Sequence, residues 1–195
     1  MFQFNAGKLA ASELRVASFR CTERMSRPFS LDVVVTTAEL ELEALEAAVL
    51  GQHARFTMEI PGGSPRVFTG VVWFVQAEGT VTRQMSCFRL GLVPRLRLLE
   101  HRKTSRIFQD LTVVDVIARV LDDAHIPFAL KLTGRYPVRA YCVQYQETDL
   151  DFITRLCAEE RFEMVAMLSA RMVEFSPTAP PSPTRRGFPV RVVRL

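Results

Sequence analysis

Several features that carry chemistry in other proteins are scarce in this chain. Among its 195 residues there are four cysteines, Cys21, Cys87, Cys142 and Cys157, with no Cys-x-x-Cys pair and no histidine at ligand spacing. That excludes a zinc ribbon and a disulfide-stapled scaffold, and the four read as reduced core thiols. Histidine occurs three times, as His53, His101 and His125. A metal site would need three distant segments to converge, so surface or hydrogen-bonded roles are expected for them. No apolar run reaches the ~18 residues of a membrane span. Met1 to Phe19 lacks an apolar core of signal-peptide length, so synthesis without a secretory signal, and a cytoplasmic product at that stage, is expected. A Gly-x-Ser-x-Gly elbow is absent. Gly62-Gly63 has no following Lys-Ser/Thr and precedes a strand pattern, which makes it a turn rather than a phosphate loop.

Charge of one sign is also missing from most of the chain. The formal net charge is +4. Residues 1–160 carry 19 Lys+Arg and 19 Asp+Glu, whereas residues 161–195 carry six arginines against two glutamates. A balanced body argues against a nucleic-acid face as a property of the whole domain. With 48% hydrophobic and 24% charged residues the composition is that of a folded globular protein. The length suits one domain or two small ones.

The first hundred residues read mostly as strands. Phe29, Leu31, Val33 and Val35 alternate with Ser30, Asp32 and Val34, and Phe56, Met58 and Ile60 alternate with Thr57 and Glu59. Val67–Val75 is apolar and β-branched, and Pro61-Gly62-Gly63-Ser64-Pro65 predicts the hairpin before it. A second hairpin, through Glu78-Gly79-Thr80, is expected to join Val71–Val75 to Met85–Val93. Thr36-Thr37-Ala38-Glu39 matches a capping box for a helix bearing Leu42, Leu45 and Val49 on one face and stopping at Gly51. From Ser105 the period changes. Thr112-Val113-Val114-Asp115 predicts a helix start, with Val113, Val116, Ile117, Val120, Leu121 and Ala124 on its apolar face and Asp115, Arg119 and Asp122 outward. Tyr141, Val143 and Tyr145 alternate like a strand, and Thr148-Asp149-Leu150-Asp151 opens another helix with Leu150, Ile153, Leu156 and Cys157 as its stripe.

The expected fold is therefore mainly β with α: an antiparallel β-barrel-like module over 1–104, a small α/β unit over 105–160, and an Arg/Pro-rich flexible tail over 161–195. Residues 176–189 hold five of the eleven prolines, Pro177, Pro180, Pro181, Pro183 and Pro189, beside Arg185-Arg186. No packed element is expected there, and the fold is expected to survive loss of 176–195; the alternative is that Phe188, Val190, Val192 and Val193 pair as an edge strand.

Few groupings could carry chemistry. Asp149 and Asp151 lie in a first helical turn, where carboxylates offset the macrodipole by about 0.3–1 kcal/mol, so capping explains both. Asp122-Asp123 sits at a helix C-terminus and needs solvent or a partner. Arg95, Arg97, Arg102, Lys103 and Arg106 form a local basic stretch with Arg95 and Arg97 on one strand face. It lacks interleaved aromatics and reads as a solvated face or subunit contact. No catalytic, cofactor-binding or metal residue is assigned, no cofactor is called for, and a non-enzymatic protein is expected.

Two stretches resemble the VgrG family, the spike proteins of type VI secretion. One is Leu90-Gly91-Leu92-Val93-Pro94-Arg95-Leu96-Arg97-Leu98-Leu99, leading into Ser105-Arg106-Ile107-Phe108-Gln109-Asp110. The other is Tyr136-Pro137 followed by Tyr141-Cys142-Val143-Gln144-Tyr145-Gln146-Glu147-Thr148-Asp149-Leu150-Asp151-Phe152. Arg27-Pro28-Phe29-Ser30-Leu31, Leu50-Gly51 and Phe68-Thr69-Gly70-Val71-Val72 follow the same order upstream. The resemblance covers residues 1 to about 160. It implies the fold of a contractile-phage baseplate hub, a trimeric family seated on the Hcp tube, a structural role without catalytic residues, and export by the type VI machinery. The isolated chain is expected to be a monomer or weak oligomer. After Glu159-Glu160 the family pattern is lost, which reads as a truncated or frameshifted spike, or as one with a diverged tail. The competing reading is a binding adaptor that uses the 95–106 stretch or the Arg-rich tail to engage an acidic partner or nucleic acid.

Overall fold

The computed structural model describes residues 1–24, 26–38, 40–82, 85–130, 134–166, 173–177 and 191–194. In chain order the elements are β1 (Phe2–Ala6), β2 (Arg15–Arg24), β3 (Arg27–Ala38), α1 (Leu42–Val49), β4 (His53–Met58), β5 (Arg66–Thr82) and β6 (Met85–Val93). A 3-10 helix (Arg95–His101) leads to β7 (Lys103–Leu111), α2 (Val113–Asp123), β8 (Phe128–Leu130), β9 (Arg139–Thr148) and α3 (Asp149–Glu159). Then come β10 (Phe162–Ala166), β11 (Val173–Pro177) and β12 (Arg191–Arg194).

Seven strands form one antiparallel sheet in the order β1-β4-β5-β6-β3-β2-β12. It curls into a half-barrel. Four strands separate β1 from β2 in hydrogen-bonded order, yet the rings of Phe2 and Phe19 lie 5.0 Å apart and Phe19 lies 4.8 Å from Phe56. The alternation in β3 supplies the concave side: Phe29, Leu31, Val33 and Val35 are buried while Ser30, Asp32 and Val34 are half-buried. Burial of each such side chain contributes about 1.5–3 kcal/mol. α1 lays Leu45 and Val49 into the same core.

A second core joins α2, α3, the 3-10 helix and the inner face of the β7–β9 pair. Val113, Val116, Ile117, Val120 and Leu121 are all buried, with Asp115, Arg119 and Asp122 exposed, as their spacing predicts. Thr112 and Asp115 form the expected capping box: the Thr112 hydroxyl accepts from the Asp115 amide at 3.1 Å, and the Thr112 amide donates to the Asp115 carboxylate at 3.1 Å. Phe108 and Phe152 stack at 5.8 Å between sheet and helix.

Four expectations are corrected. Thr36 and Thr37 cap no helix; they pair with Cys87 and Ser86 in the β3–β6 ladder, and α1 starts after Glu41. A ladder satisfies both backbone groups of each residue, which a local cap does not. Glu39 of that motif lies outside the described residues. The turn expected at Glu78-Gly79-Thr80 is instead part of β5, which continues to Thr82 with register shifts around Gly79; Gly79, at φ +131°, marks a bulge rather than a reversal. Residues 95–101 are not a strand. Pro94 cannot donate to a ladder, and Leu96 and Leu99, spaced by three, bury one side of a 3-10 turn. Lastly, the stretch after Glu160 contributes ordered pairing: β10 and β11 form an antiparallel pair with β8 alongside β11, and β12 pairs with Ser18–Cys21 of β2 as an edge strand. Phe188, Val190, Arg185, Arg186 and the prolines from Pro180 to Pro189 lie outside the described residues.

Other expectations agree with the fold. β4 and β5 form the hairpin across Pro61–Pro65, with Gly62 at φ +72°, and Gly51 ends α1 at φ +71°.

Candidate assembly surface

Among the described residues β7 and β9 pair only with each other, antiparallel, with Ile107 opposite Val143 and Gln109 opposite Tyr141. Alternation assigns each side chain to one of two faces. Phe108, Cys142 and Gln144 turn inward. Ile107, Tyr141, Val143 and Tyr145 turn outward and are 69%, 69%, 40% and 72% exposed. The alternation of Tyr141, Val143 and Tyr145 is thus present, with the apolar members facing away from the core. Tyrosine, with a large ring and a polar tip, is favoured on surfaces that become buried on association. A two-stranded ribbon is marginal by itself, so it must be held from its inner side.

That inner side holds a polar network. Asp149 is fully buried. Its Oδ1 accepts from Arg106 at 2.5 Å and from the Gln144 side-chain amide at 2.8 Å, while its Oδ2 has Arg102 Nε at 3.3 Å as an ion-pair partner without an aligned hydrogen bond. Arg106 also donates to Gln144 Oε1 at 2.8 and 3.0 Å, and the Asp149 amide donates to the Arg102 carbonyl at 2.9 Å. β7, β9 and the start of α3 are therefore locked to one another by charge-assisted bonds. Asp149 is not the solvated capping residue that its position suggests. Asp151 is: the Thr148 hydroxyl donates to its carboxylate at 2.7 Å and accepts from its amide at 3.0 Å.

Around the rim, Arg139 pairs with Glu159 and Glu160, and Arg155 pairs with Glu147 and Glu159 while donating to the Val143 carbonyl. Burial alone would raise the Glu159 carboxyl, but hydrogen bonds from Arg139 and Arg155 outweigh it and hold the group below the usual glutamate value.

The basic stretch is largely consumed inside the fold. Arg97 pairs with Glu100 at 2.8 Å and lies over Trp73 at 5.6 Å. Arg102 and Arg106 serve Asp149, and Arg106 also reaches Asp123 at 3.5 Å, the partner that this helix-end carboxylate needed. Arg95 and Lys103 are exposed. The histidines do not converge: His53 is in β4, His101 ends the 3-10 helix and His125 follows α2. Among the described residues no group of three or more His, Cys, Asp or Glu side chains could hold a metal ion. The cysteines are unpaired, two of them buried, and burial pushes Cys21 and Cys157 up to about 12. Among the described residues no helix is long and apolar enough to cross a membrane.

Periodicity missed the outward face because β9 carries apolar residues on both sides. Cys142 between Tyr141 and Val143 is the available signal, since a strand apolar on both faces is one covered on both faces.

Residues 22–171 match the phage tail baseplate hub (GPD) family. The chain is 40% identical over 153 residues to the type VI secretion system spike protein VgrG4b of Pseudomonas aeruginosa, covering 76% of this chain and 18% of that protein. It is 35% identical over 155 residues to VgrG1c of the same organism, covering 78% and 21%. The actin cross-linking toxin VgrG1 of Vibrio cholerae is 41% identical over 87 residues, 43% of this chain and 8% of the toxin. The chain thus spans about a fifth of the curated spike proteins it matches, within their hub region. Among solved structures, the E. coli c3393 protein, a type VI secretion component similar to the T4 tail proteins gp27 and gp5, superposes with a TM-score of 0.75 at 24% identity over 90% of this chain and 48% of its own. The 43 kDa tail protein of prophage MuSo2 from Shewanella oneidensis gives 0.63 at 16% identity, covering 91% and 55%. With its curled antiparallel sheet, its ribbon turned outward and this match over most of its length, the chain belongs to the phage tail baseplate hub family, as a structural hub component of the type VI secretion spike or phage tail kind.

Proposed function

We propose that this chain is the hub module of a type VI secretion spike, packing against other spike subunits and against the Hcp tube protein, and exported with that machinery. The observation that carries this reading is the outward face of β7–β9. Ile107, Tyr141, Val143 and Tyr145 lie side by side on two paired strands and are all exposed, a contiguous aromatic and aliphatic patch of the kind that marks an association surface. The two hydrophobic clusters part between Leu92 and Leu96, which favours a division some ten residues before the expected boundary at 104; a further segment from 161 and a role as an adaptor rather than an enzyme belong to the same proposal. The chain's sequence identity to VgrG spike proteins supports the choice of partners.

The test is co-sedimentation of the purified chain with Hcp rings and with itself over a concentration series. Tyr141→Ser/Tyr145→Ser is expected to weaken both associations at least tenfold while leaving the thermal midpoint unchanged. The isolated chain is expected to be monomeric or weakly associated at micromolar concentration, because association must overcome at least ~4 kcal/mol of lost rigid-body freedom. Unchanged association by the double variant would overturn the assignment to this face.

A further inference from the structure

We propose that the cleft between the β2–β3 hairpin and α3 is a binding groove for an acidic peptide segment. It is an open cleft of about 540 Å³. Thr22, Arg24, Arg27 and Ser30 line its hairpin side, and Thr154 and Arg155 its helix side, over a floor that includes Leu150.

Charge bookkeeping across the cleft is uneven. Of its four arginines, Arg97 is answered by Glu100 at 2.8 Å and Arg155 by Glu147 at 2.7 Å and Glu159 at 2.9 Å. Arg24 and Arg27 are exposed and have no ion pair among the described residues; their neighbour Glu23 is taken by Arg66. The cleft's other carboxylate, Asp151, is engaged by the Thr148 hydroxyl as a helix cap. Arg24 and Arg27 are moreover register partners on the last rung of the hairpin. Like charges directly opposite each other in an antiparallel pair are unfavourable, and a carboxylate bound between them removes the repulsion. Guanidinium groups bind carboxylates through paired N–H donors, and the hydroxyls of Thr22 and Ser30 add further donors, whereas that of Thr154 is spent on the Leu150 carbonyl at 2.7 Å. No aromatic side chain lines the cleft, so it offers nothing for base stacking, and a peptide is the better fit than single-stranded nucleic acid. None of Ile107, Tyr141, Val143 and Tyr145 lines it, so its occupancy is separable from the ribbon contact.

Fluorescence anisotropy of the full chain with a labelled Glu-Asp decapeptide tests this. Saturable binding is expected, weakened at least tenfold in Arg24→Glu/Arg27→Glu and unaltered in Arg95→Glu, whose exposed arginine lies outside the cleft; circular dichroism of both variants should match the parent. Sedimentation of the same double variant identifies the source: a fall in self-association places the acidic segment on a second copy of this chain, such as the glutamates of α1, and no fall places it on another protein. Equal peptide affinity in the double variant, equal loss in Arg95→Glu, or tighter binding of a single-stranded oligonucleotide than of the peptide would each overturn the proposal.

Discussion

Asp149 and Asp151 stand two residues apart in the first turn of α3, and the structure assigns them unequal costs. Replacing Asp149 with alanine removes the shared acceptor of Arg106 and Gln144 and the ion partner of Arg102. Removing one member of a buried pair typically costs about 3–5 kcal/mol, because the other charge is left desolvated. The partners here retain some water: the Arg106 side chain is 22% exposed and that of Arg102 43%. Screening lowers the expectation to about 2–4 kcal/mol. For a chain of this size each kcal/mol moves the melting midpoint by roughly 2–4 °C, so Asp149→Ala should lower it by roughly 5–15 °C. Asp151→Ala forfeits a capping interaction while the Thr148 hydroxyl keeps its bond from the backbone amide, a loss of about 0.3–1 kcal/mol and roughly 1–4 °C. Urea titration and thermal melts by circular dichroism read both. The gap should persist in 1 M salt, since a buried pair is little screened. Equal losses in the two variants would refute the network and return Asp149 to a capping role.

Val120→Asp should cost several kcal/mol by placing an unpaired carboxylate in a fully buried site of α2; an unchanged urea midpoint would contradict the assigned helix face. Gly70→Ala should destabilise by about 1–3 kcal/mol, because its Cβ would stand 2.0 Å from the Val93 carbonyl oxygen, a backbone atom that the β5–β6 ladder holds in place. Glu159 has a folded-state pKa below its usual 4.5, so its contribution is complete above pH 4.5 and is lost as pH falls through the lower folded value. The stability difference between the parent and Glu159→Gln should accordingly be constant between about pH 6 and 7 and shrink only in acid, whereas a difference that grew on acidification would have the wrong sign. Iodoacetamide at pH 8 should leave Cys142 and Cys157 unmodified in the native chain and label both in urea; burial raises both thiols and shields them, and rapid native labelling of Cys157 would contradict its place in the core.

Local rules recovered what local forces control. The α2 boundary follows from a capping box and a 3.6-residue stripe, the β4–β5 hairpin from two prolines around a glycine pair, and the end of α1 from Gly51. The same rules failed where a long-range partner competed. Thr36 and Thr37 carry a cap signal, but β6 offers them a ladder; Gly79 looks like a turn, but β6 continues beside it and turns it into a bulge. The edge strand at Arg191–Arg194 was only the alternative reading of the tail, because the prolines before it argue for a flexible segment and its partner in β2 lies some 170 residues earlier in the chain.

Composition and spacing by themselves determined that this chain folds into a β-rich body with three amphipathic helices, and the quoted motifs pointed to a hub of the spike family. Which way the ribbon faces was decided by tertiary structure alone. Residues of a strand alternate between faces whatever their polarity, and β9 has apolar side chains on both. The choice fell to the buried network, because Gln144 and Asp149 must meet Arg106 on the inner side; that pairing turns Tyr141, Val143 and Tyr145 outward. Charge behaved likewise. Arginines 95 to 106 read as one basic stretch along the chain, but folding pairs three of them with Glu100 and Asp149, whereas Arg24 and Arg27, without an ion pair among the described residues, face each other at a hairpin tip where the linear sequence shows nothing unusual.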